Sequence, residues 1–378
     1  MKNDLIAKRY DALLVFLFCI YFLISIFESY INGAFGAITK YYIVFLSVMF
    51  IAGSRTFNTP TRLCWPFVAW LGIKIISLLW SEDYSTPKLH IVSQNGMVLF
   101  LVILTTVSFD NNSIKKFIQT YFVSSMILAF LCAFFSKSYH GTINDRQIVK
   151  LLGVEQDPNN LAALILIAFS ISALKVFESK KLYQRIIFLI LSMICMLGAL
   201  RTGSRAALVT MIILVAVIVV FNLKDYKKPI LFGIVAVVLA YVIAKRFLPV
   251  EIYDRLFVTD YADGSDRMNM WQNAWSAYTS NIFTILFGIG WGSATIHTGS
   301  TLAVHNTYLT MLCDVGLFGT IIFYIPIVKI IAKLLKEKEN LPIILFISQA
   351  VPSFFLDAIN KRFFWNAIFI VIIYYYKD

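Results

Sequence analysis

Long apolar runs recur along the whole chain, and they constrain its fold more than any other feature. About 20 mostly apolar residues are needed to cross the hydrocarbon core of a bilayer. By that criterion we predict twelve transmembrane helices in an all-α polytopic membrane protein, with residues 1–378 as one integral-membrane domain. The twelve spans lie at about residues 10–30, 33–53, 62–80, 90–108, 114–135, 158–176, 183–200, 204–222, 229–247, 305–332, 340–357 and 363–376.

Composition agrees with this assignment. The chain is 59% hydrophobic and 14% charged, whereas about a quarter of a soluble domain is charged. The first apolar run is longer than the core of a signal peptide and lacks a clear small-residue cleavage site. We therefore expect it to be retained as a span.

The basic residues indicate the orientation. Lysine is dense in short loops such as 175–185 and 222–228, and such loops face the cytoplasm under the positive-inside rule. Both termini are then cytoplasmic. The net charge of +12 follows from these topology signals and from contacts with membrane lipids, so no nucleic-acid partner is expected.

Two long loops are predicted on the outer face, at residues 136–157 and about 248–304. Loops of this length in a compact protein are usually functional. Seven of the twelve basic residues expected on the outer face are arginines, although the positive-inside rule disfavours basic residues there. They either anchor to lipid headgroups or bind an anionic ligand, because the planar guanidinium forms paired hydrogen bonds with phosphate.

Arg201 and Arg205 lie in the segment LRTGSRAALVTM. Their spacing of four predicts that they share one helix face at the outer start of the eighth span. Together with a helix N-terminus, two arginines form an anion site. The alternative is that both extend to lipid phosphates.

The segment GVEQDPNNLAAL predicts a helix start, with Asp157 as the N-cap and Pro158 in the first turn. Asn159 and Asn160 are not needed for that start. Their amides either bind sugar hydroxyls or contact other helices.

The large outer loop contains the helical segment DRMNMWQNAWSAYTSN. Met268, Trp271 and Trp275 recur on one face, which suits a helix that lies on the bilayer surface or caps a cavity. Arg267 opens this helix, either as a solvated or headgroup-bound residue or as part of a site. The segment 281–293 is too short to span the membrane and is expected at the surface or re-entrant.

His305 and Asn306 open the tenth span. They are either plain helix-end residues or a site, because a neutral imidazole accepts a proton near pH 7 and Asn306 could orient it or bind a sugar. Asp314 is expected to face a neighbouring helix, since buried carboxylates in lipid need partners. Gly316 and Gly319 resemble packing positions.

The five cysteines all fall in predicted spans, with no CxxC pair and no histidine cluster. Neither a disulfide framework nor a metal site is expected. The sequence also lacks a P-loop and a dinucleotide-binding glycine pattern, so no cofactor is predicted.

Taken together, the motifs between about residues 78 and 320 resemble, in order, those of the bacterial O-antigen ligase and Wzy-type polysaccharide polymerase superfamily. Asp314 is a mild departure, because the family often has glutamate near that position. The matching residues are Trp80–Ser81–Glu82–Asp83, Gly153 with Asp157–Pro158–Asn159–Asn160, Gly203–Ser204–Arg205–Ala206–Ala207, Arg267 with Trp271, Gly288, Gly290 and Gly292, and His305–Asn306 with Tyr308–Leu309, Gly316 and Gly319.

This resemblance implies a fold similar to the C-type glycosyltransferases and glycan transfer on the outer face of the cytoplasmic membrane. The donor would be a glycan on undecaprenyl pyrophosphate, and the transfer would be metal-independent and inverting. The implied catalytic residues are His305 as the base, with Arg267 and Arg205 at the pyrophosphate. The implied substrate-binding residues are Arg201, Arg255, Asn306, Tyr308, Asn159, Asn160 and Asp157.

Within the superfamily we favour a polymerase of lipid-linked repeat units over a ligase that moves a finished glycan to lipid A-core or another acceptor. A chain-length regulator and a flippase of the same pathway would be partners of a polymerase. A lipid-linked glycan flippase or transporter is the rival from another class. It is disfavoured because few ionisable residues fall deep within the spans.

Overall fold

A computed structural model of the chain describes residues 2–53, 62–139, 146–222, 238, 241–242, 245–258, 267–298 and 303–377, without the side chains of 2–10 and 86–89. Helices dominate it. In the first third of the chain they are α1 (Lys2–Ile26), α2 (Glu28–Phe35), α3 (Ile38–Gly53), α4 (Trp65–Ile76) with a 3-10 turn at Ser77–Trp80, α5 (Ser85–Leu104) and α6 (Asn111–Phe135).

Two small hairpins follow α6, and helices resume after them. The strands are β1 (Lys137–Tyr139), β2 (Arg146–Ile148), β3 (Lys150–Leu151) and β4 (Val154–Glu155), with β1 antiparallel to β2 and β3 antiparallel to β4. The later helices are α7 (Pro158–Glu178), α8 (Leu182–Arg201), α9 (Arg205–Phe221), α10 (Val250–Phe257), α11 (Arg267–Tyr278), α12 (Ile282–Phe287), α13 (Ala294–His297), α14 (Thr307–Lys336), α15 (Asn340–Ala350) and α16 (Arg362–Tyr375).

The described helices make this a membrane protein. Four of them, α6, α7, α8 and α14, are long and apolar enough to cross a bilayer, and a fifth span arises if residues 11–26 of α1 and α2 count as one bent segment. Shorter apolar helices fill much of the remaining chain. Twelve spans, the C-type glycosyltransferase fold and the cytoplasmic termini therefore stay predictions, and most of the ninth span (229–247) lies outside the described residues.

The boundary between the first two predicted spans is wrong. The chain turns by 83° after α1, so residues 28–35 form the separate helix α2 and the helix predicted as continuous over residues 10–30 is broken. Gly36 then adopts a φ of 80° before α3 begins at Ile38. A left-handed φ of this kind favours glycine, which explains why the break between α2 and α3 falls at Gly36.

Helix α7 is the centre of the bundle, because every residue from 161 to 174 is buried. A helix that is apolar on all sides needs such a position. It packs against α6, α8, α9 and α15. The hydroxyl of Ser125 on α6 donates to the Leu164 carbonyl at 2.6 Å and accepts from the Ala168 amide at 3.0 Å, so α6 and α7 are in close contact.

Helix α14 is broken at Gly316, which has a φ of 69° and a ψ of −175° inside it. The break frees the Cys313 carbonyl, which accepts a hydrogen bond from the Ile289 amide at 2.7 Å. A Cβ on Gly288 would lie 2.5 Å from that carbonyl oxygen, and one on Gly290 would lie 2.6 Å from Ser81 Cα. The glycine-rich loop 288–292 thus passes between α14 and the segment at Ser81.

A buried ion pair holds this arrangement. Lys74 Nζ lies 2.9 Å from Asp314 Oδ2, and Asp314 Oδ1 accepts from the Gly292 amide at 3.0 Å. Lys74 Nζ also lies 4.7 Å from the centre of the Trp291 ring. The prediction that Asp314 faces a neighbouring helix is confirmed. Gly319 is also a packing position, because a Cβ on it would lie 3.4 Å from Ile73 of α4.

Candidate functional site

The predicted site residues meet at one end of the helical bundle. That end contains the start of α7, the turn from α8 to α9, the start of α14, and the helices α10 and α11 of the large loop. Because α7 and α8 are consecutive helices packed against each other, the start of one lies beside the end of the other.

Asp157 caps α7 as predicted. Its Oδ1 accepts hydrogen bonds from the amides of Asn159 and Asn160 at 2.9 and 3.0 Å, and Pro158 begins the helix. The cap fixes the carboxylate at the helix start. From there it acts electrostatically on both Arg267 and His305.

Arg267 is the first residue of α11 and is half-buried. Burial lowers the pKa of its guanidinium, and the nearby carboxylate of Asp157 acts in the opposite direction. An arginine keeps its charge despite such a shift. Arg267 is therefore a partly desolvated cation beside one carboxylate.

His305 lies in a bend directly before α14, with a left-handed φ of 53°. This conformation is uncommon for a residue other than glycine. Burial lowers the pKa of the imidazole most, Arg267 lowers it further, and Asp157 opposes them. The imidazole is consequently neutral at pH 7 and able to accept a proton.

Asn306 and Tyr308 have structural contacts of their own. Asn306 is the N-cap of α14, and its Oδ1 accepts from the amides of Tyr308 and Leu309, both at 3.1 Å. The Tyr308 hydroxyl donates to the Ala350 carbonyl at 2.7 Å. These contacts fix the backbone on the C-terminal side of His305.

The expectation that Arg201 and Arg205 share one helix face is wrong. Arg201 ends α8, Arg205 begins α9, and residues 202–204 form a turn between them. Gly203 in that turn has a φ of 64°, which interrupts the helix. Arg201 Nη2 lies 3.5 Å from the Phe247 carbonyl, and its Nε is buried without a partner among the described residues.

Three arginines are oriented through their Nε atoms at this turn. Arg146 donates to the Thr202 carbonyl at 2.9 Å, Arg255 to the Gly203 carbonyl at 3.1 Å, and Arg205 to the Arg255 carbonyl at 3.1 Å. Each bond fixes the plane of a guanidinium. We call these three and Arg201 the arginine cluster.

Arg146 is a site residue that the sequence reasoning missed. It is only 7% exposed, and its Nη2 donates to Asn159 Oδ1 at 2.7 Å. Its position among the outer arginines was the available signal, but neither spacing nor a motif singled it out. Through Asn159 and Asp157, it connects the arginine cluster to Arg267 and His305.

An apolar cavity of about 390 Å³ adjoins His305 on the Asn306 side. The predicted apolar face of α11 is only partly covered by protein. Trp271 packs against a buried cluster that includes Ala274 and Tyr278, whereas Met268 and Trp275 are exposed. Trp271 and Trp275 line the cavity, which agrees with the expectation that this helix caps a cavity. Its position on the bilayer surface, the other alternative, stays a prediction. The lining residues are Trp271, Gln272, Trp275, Asn306, Tyr308, Leu309, Leu312 and Phe354.

The fold and this site define a polytopic membrane protein with a cationic site and a neutral histidine at one end. Residues 186–324 match the model of the O-antigen ligase family. The match confirms the resemblance to the O-antigen ligase and Wzy superfamily and includes Arg205, Arg267 and His305, whereas Asp157 lies before it. No match was found among curated proteins or among solved structures.

Proposed function

We propose that the protein is a membrane glycosyltransferase that moves a glycan from undecaprenyl pyrophosphate on the outer face of the bacterial cytoplasmic membrane. One observation carries the proposal. A neutral, half-buried imidazole and a group of oriented arginines lie at the same end of the bundle, linked through Asp157 and Asn159.

The arginines suit the leaving group. Cleavage of a glycosyl–pyrophosphate bond leaves negative charge on the pyrophosphate, and preorganised cations stabilise that charge in the transition state. Arg267 and Arg205 are assigned to this role. Arg201 and Arg255 bind the same anion, and the start of α9 adds the positive end of a helix dipole.

His305 is assigned as the general base. Its neutral imidazole takes the proton from the acceptor hydroxyl while that oxygen attacks the anomeric carbon and the pyrophosphate leaves. Such base catalysis contributes about 10²–10⁴-fold. A single displacement inverts the configuration at that carbon. Asn306 and Tyr308 hold the loop that carries His305.

The apolar cavity suits a lipid-linked donor. It is lined almost wholly by apolar and aromatic side chains beside Asn306, and an isoprenoid chain gains free energy on leaving water for such a surface. We assign Asn160, with Asn159 and Asp157 at the start of α7, to binding of the donor glycan.

We infer a polymerase that joins repeat units, with a chain-length regulator and a flippase of the same pathway as partners. The ligase role is the second candidate, and the description of the matching family as O-antigen ligase favours it. Deletion of the gene distinguishes them. Surviving single-unit glycans indicate loss of a polymerase, and long chains left on the carrier lipid indicate loss of a ligase.

Turnover of lipid-linked oligosaccharide by the purified protein tests transfer itself. His305→Ala should remove most activity at normal protein level, and Arg267→Lys should also fail because lysine cannot form the paired contact. His297→Ala is the matched control, since His297 pairs with Glu82 at 3.4 Å and has no assigned role. Near-normal turnover in His305→Ala would contradict the base assignment.

A further inference from the structure

A second polar cluster lies beside the start of α14, whose Thr307 is hydrogen-bonded to Leu356 and Ala358 of the adjoining loop. It comprises His90 and Gln94, one turn apart on α5, and Asp357, Asn360 and Lys361 in the loop between α15 and α16. We call these five residues the polar well. The proposed mechanism uses none of them.

The residues of the polar well range from exposed to fully buried. Lys361 is exposed, His90, Asp357 and Asn360 are half-buried, and Gln94 is only 1% exposed. Gln94 Nε2 donates to Asn360 Oδ1, which joins α5 to the loop. The ion pair of Lys74 and Asp314 lies within electrostatic range of both His90 and Asp357.

Two oxygen atoms in the well have no hydrogen-bond partner. Among the described residues, no donor reaches Gln94 Oε1 or Asp357 Oδ1, although both atoms are buried. A buried acceptor without a donor is costly in a folded protein. The two atoms therefore indicate a site that a ligand with hydrogen-bond donors would complete.

The well is fixed relative to His305 by Thr307. The Thr307 hydroxyl donates to the Leu356 carbonyl at 2.6 Å and accepts from the Ala358 amide at 2.7 Å, and the Thr307 amide also bonds the Leu356 carbonyl. Thr307 is two residues from His305, a backbone distance of at most about 7 Å. A molecule bound in the well is therefore near the proposed base.

The charges of the well select the class of ligand. A metal cation would be repelled by Lys74 and Lys361, and a phosphate would face the Asp357 carboxylate and the unpaired amide oxygen. A neutral molecule rich in hydroxyl groups is repelled neither by the lysines nor by Asp357, and its hydroxyls donate hydrogen bonds to carboxylate and amide oxygens.

We propose that the polar well binds the sugar hydroxyls of the acceptor glycan and directs one of them to His305. The inference rests on the proposed function, which requires an acceptor site separate from the pyrophosphate site. Asp357 and Gln94 accept hydrogen bonds from the sugar, and Asn360 holds Gln94 in position.

Binding of a phosphate-free glycan to the full-length protein in detergent tests the proposal without turnover. The probe is the oligosaccharide released by mild acid from the carrier-linked glycan that accumulates in a deletion strain. Asp357→Asn and Gln94→Leu should each raise its Kd at least tenfold. Asp110→Asn is the matched control, because Asp110 caps α6 and asparagine caps equally well.

Each outcome has one meaning. Unchanged affinity in the two well variants, or no saturable binding by the wild type, overturns the proposal and leaves ordered water as the occupant. Specific binding without transfer by the wild type contradicts the proposed function but leaves a sugar site in place. Transfer with an unchanged acceptor KM in Asp357→Asn contradicts only the acceptor site. If a well variant is not monodisperse, Asn360→Ala replaces it, with the same tenfold rise expected.

Discussion

Arg146 and Asn159 are joined by a hydrogen bond of 2.7 Å from Nη2 to Oδ1, and the Nε of the same arginine donates to the Thr202 carbonyl at 2.9 Å. One buried side chain thus connects the 136–157 loop, the start of α7 and the turn between α8 and α9. The position of Asp157 relative to the arginine cluster depends on this connection.

Arg146→Ala should destabilise the protein by about 2–4 kcal/mol, because it leaves polar groups of Asn159 and Thr202 without their donor. Thermal unfolding in detergent measures the loss. Lys150→Ala is the control, since the Lys150 side chain forms an exposed ion pair with Glu155, and such pairs contribute about 0–1 kcal/mol. Equal melting temperatures for the two variants would contradict the role assigned to Arg146.

The sequence predicts which residues form the site better than it predicts how those residues are arranged. His305, Arg267 and Asp157 were identified from local motifs, and the structure brings them into one electrostatic environment. The spacing of Arg201 and Arg205 predicts one shared helix face, and this is wrong because Gly203, with a positive φ, interrupts the helix between them. Periodicity also cannot tell which face of α11 is covered, since in a membrane an apolar face packs equally well on lipid or on protein.

Residues that act across long sequence separations could not be predicted. Asp314 was expected to have a partner, but nothing local identified Lys74 as that partner. Gln94 and Asn360 belong to different thirds of the chain, and only the packing of α5 against the loop before α16 brings them together. Helices were identifiable from apolar length, whereas contacts between their ends depend on the tertiary arrangement.

Gly316→Ala should disrupt the docking of the glycine-rich loop on α14. Its Cβ would lie 2.3 Å from the Leu286 carbonyl oxygen, and the φ of 69° is strained for alanine. We expect lower protein yield and a loss of stability above about 2 kcal/mol. Gly72→Ala on α4 is the matched control, because a Cβ there meets no atom of the described residues within 4 Å and alanine favours the helix by about 1 kcal/mol.

Lys74→Met should cost about 3–5 kcal/mol, because it leaves the Asp314 carboxylate buried and unpaired. The double variant Lys74→Met, Asp314→Leu should recover much of that loss, since it removes both charges. Melting temperatures of the two single variants and the double variant give the coupling. Additive losses would show that the ion pair does not stabilise the fold.

Activity should fall at acidic pH as His305 becomes protonated. Because burial and Arg267 lower its pKa, the acid limb of kcat/KM should lie below pH 6.5, the ordinary value for histidine. Arg267→Gln removes a positive neighbour and should raise that pKa, so the residual activity should be lost at a higher pH. Carbethoxylation of His305, followed by mass spectrometry, reports the neutral imidazole independently of turnover. An acid limb that does not move in Arg267→Gln would contradict the coupling.

Asp357 should make stability depend on pH in the opposite sense from a salt-bridged carboxylate. Burial and the Asp314 charge raise its pKa from 3.8 to about 6, while Lys74, Lys361 and the Ile359 amide partly offset them. The folded protein therefore binds this proton more tightly than the unfolded chain. Stability should rise as the pH falls from about 6 towards 4, and the penalty at pH 7 is at most about 3 kcal/mol.

Asp357→Asn should remove this contribution and be more stable than the wild type at pH 7, with the advantage shrinking below pH 6. Melting temperatures of both proteins between pH 4.5 and 8 measure the difference, in which the other titrating groups cancel.

Binding of the acceptor glycan should change over the same pH range, because a protonated Asp357 has lost its negative charge and with it a strong hydrogen-bond acceptor. The KM of the wild type for the acceptor should rise below pH 6, whereas the KM of Asp357→Asn should be high at every pH. Parallel melting curves would show that Asp357 is ionised with an ordinary pKa.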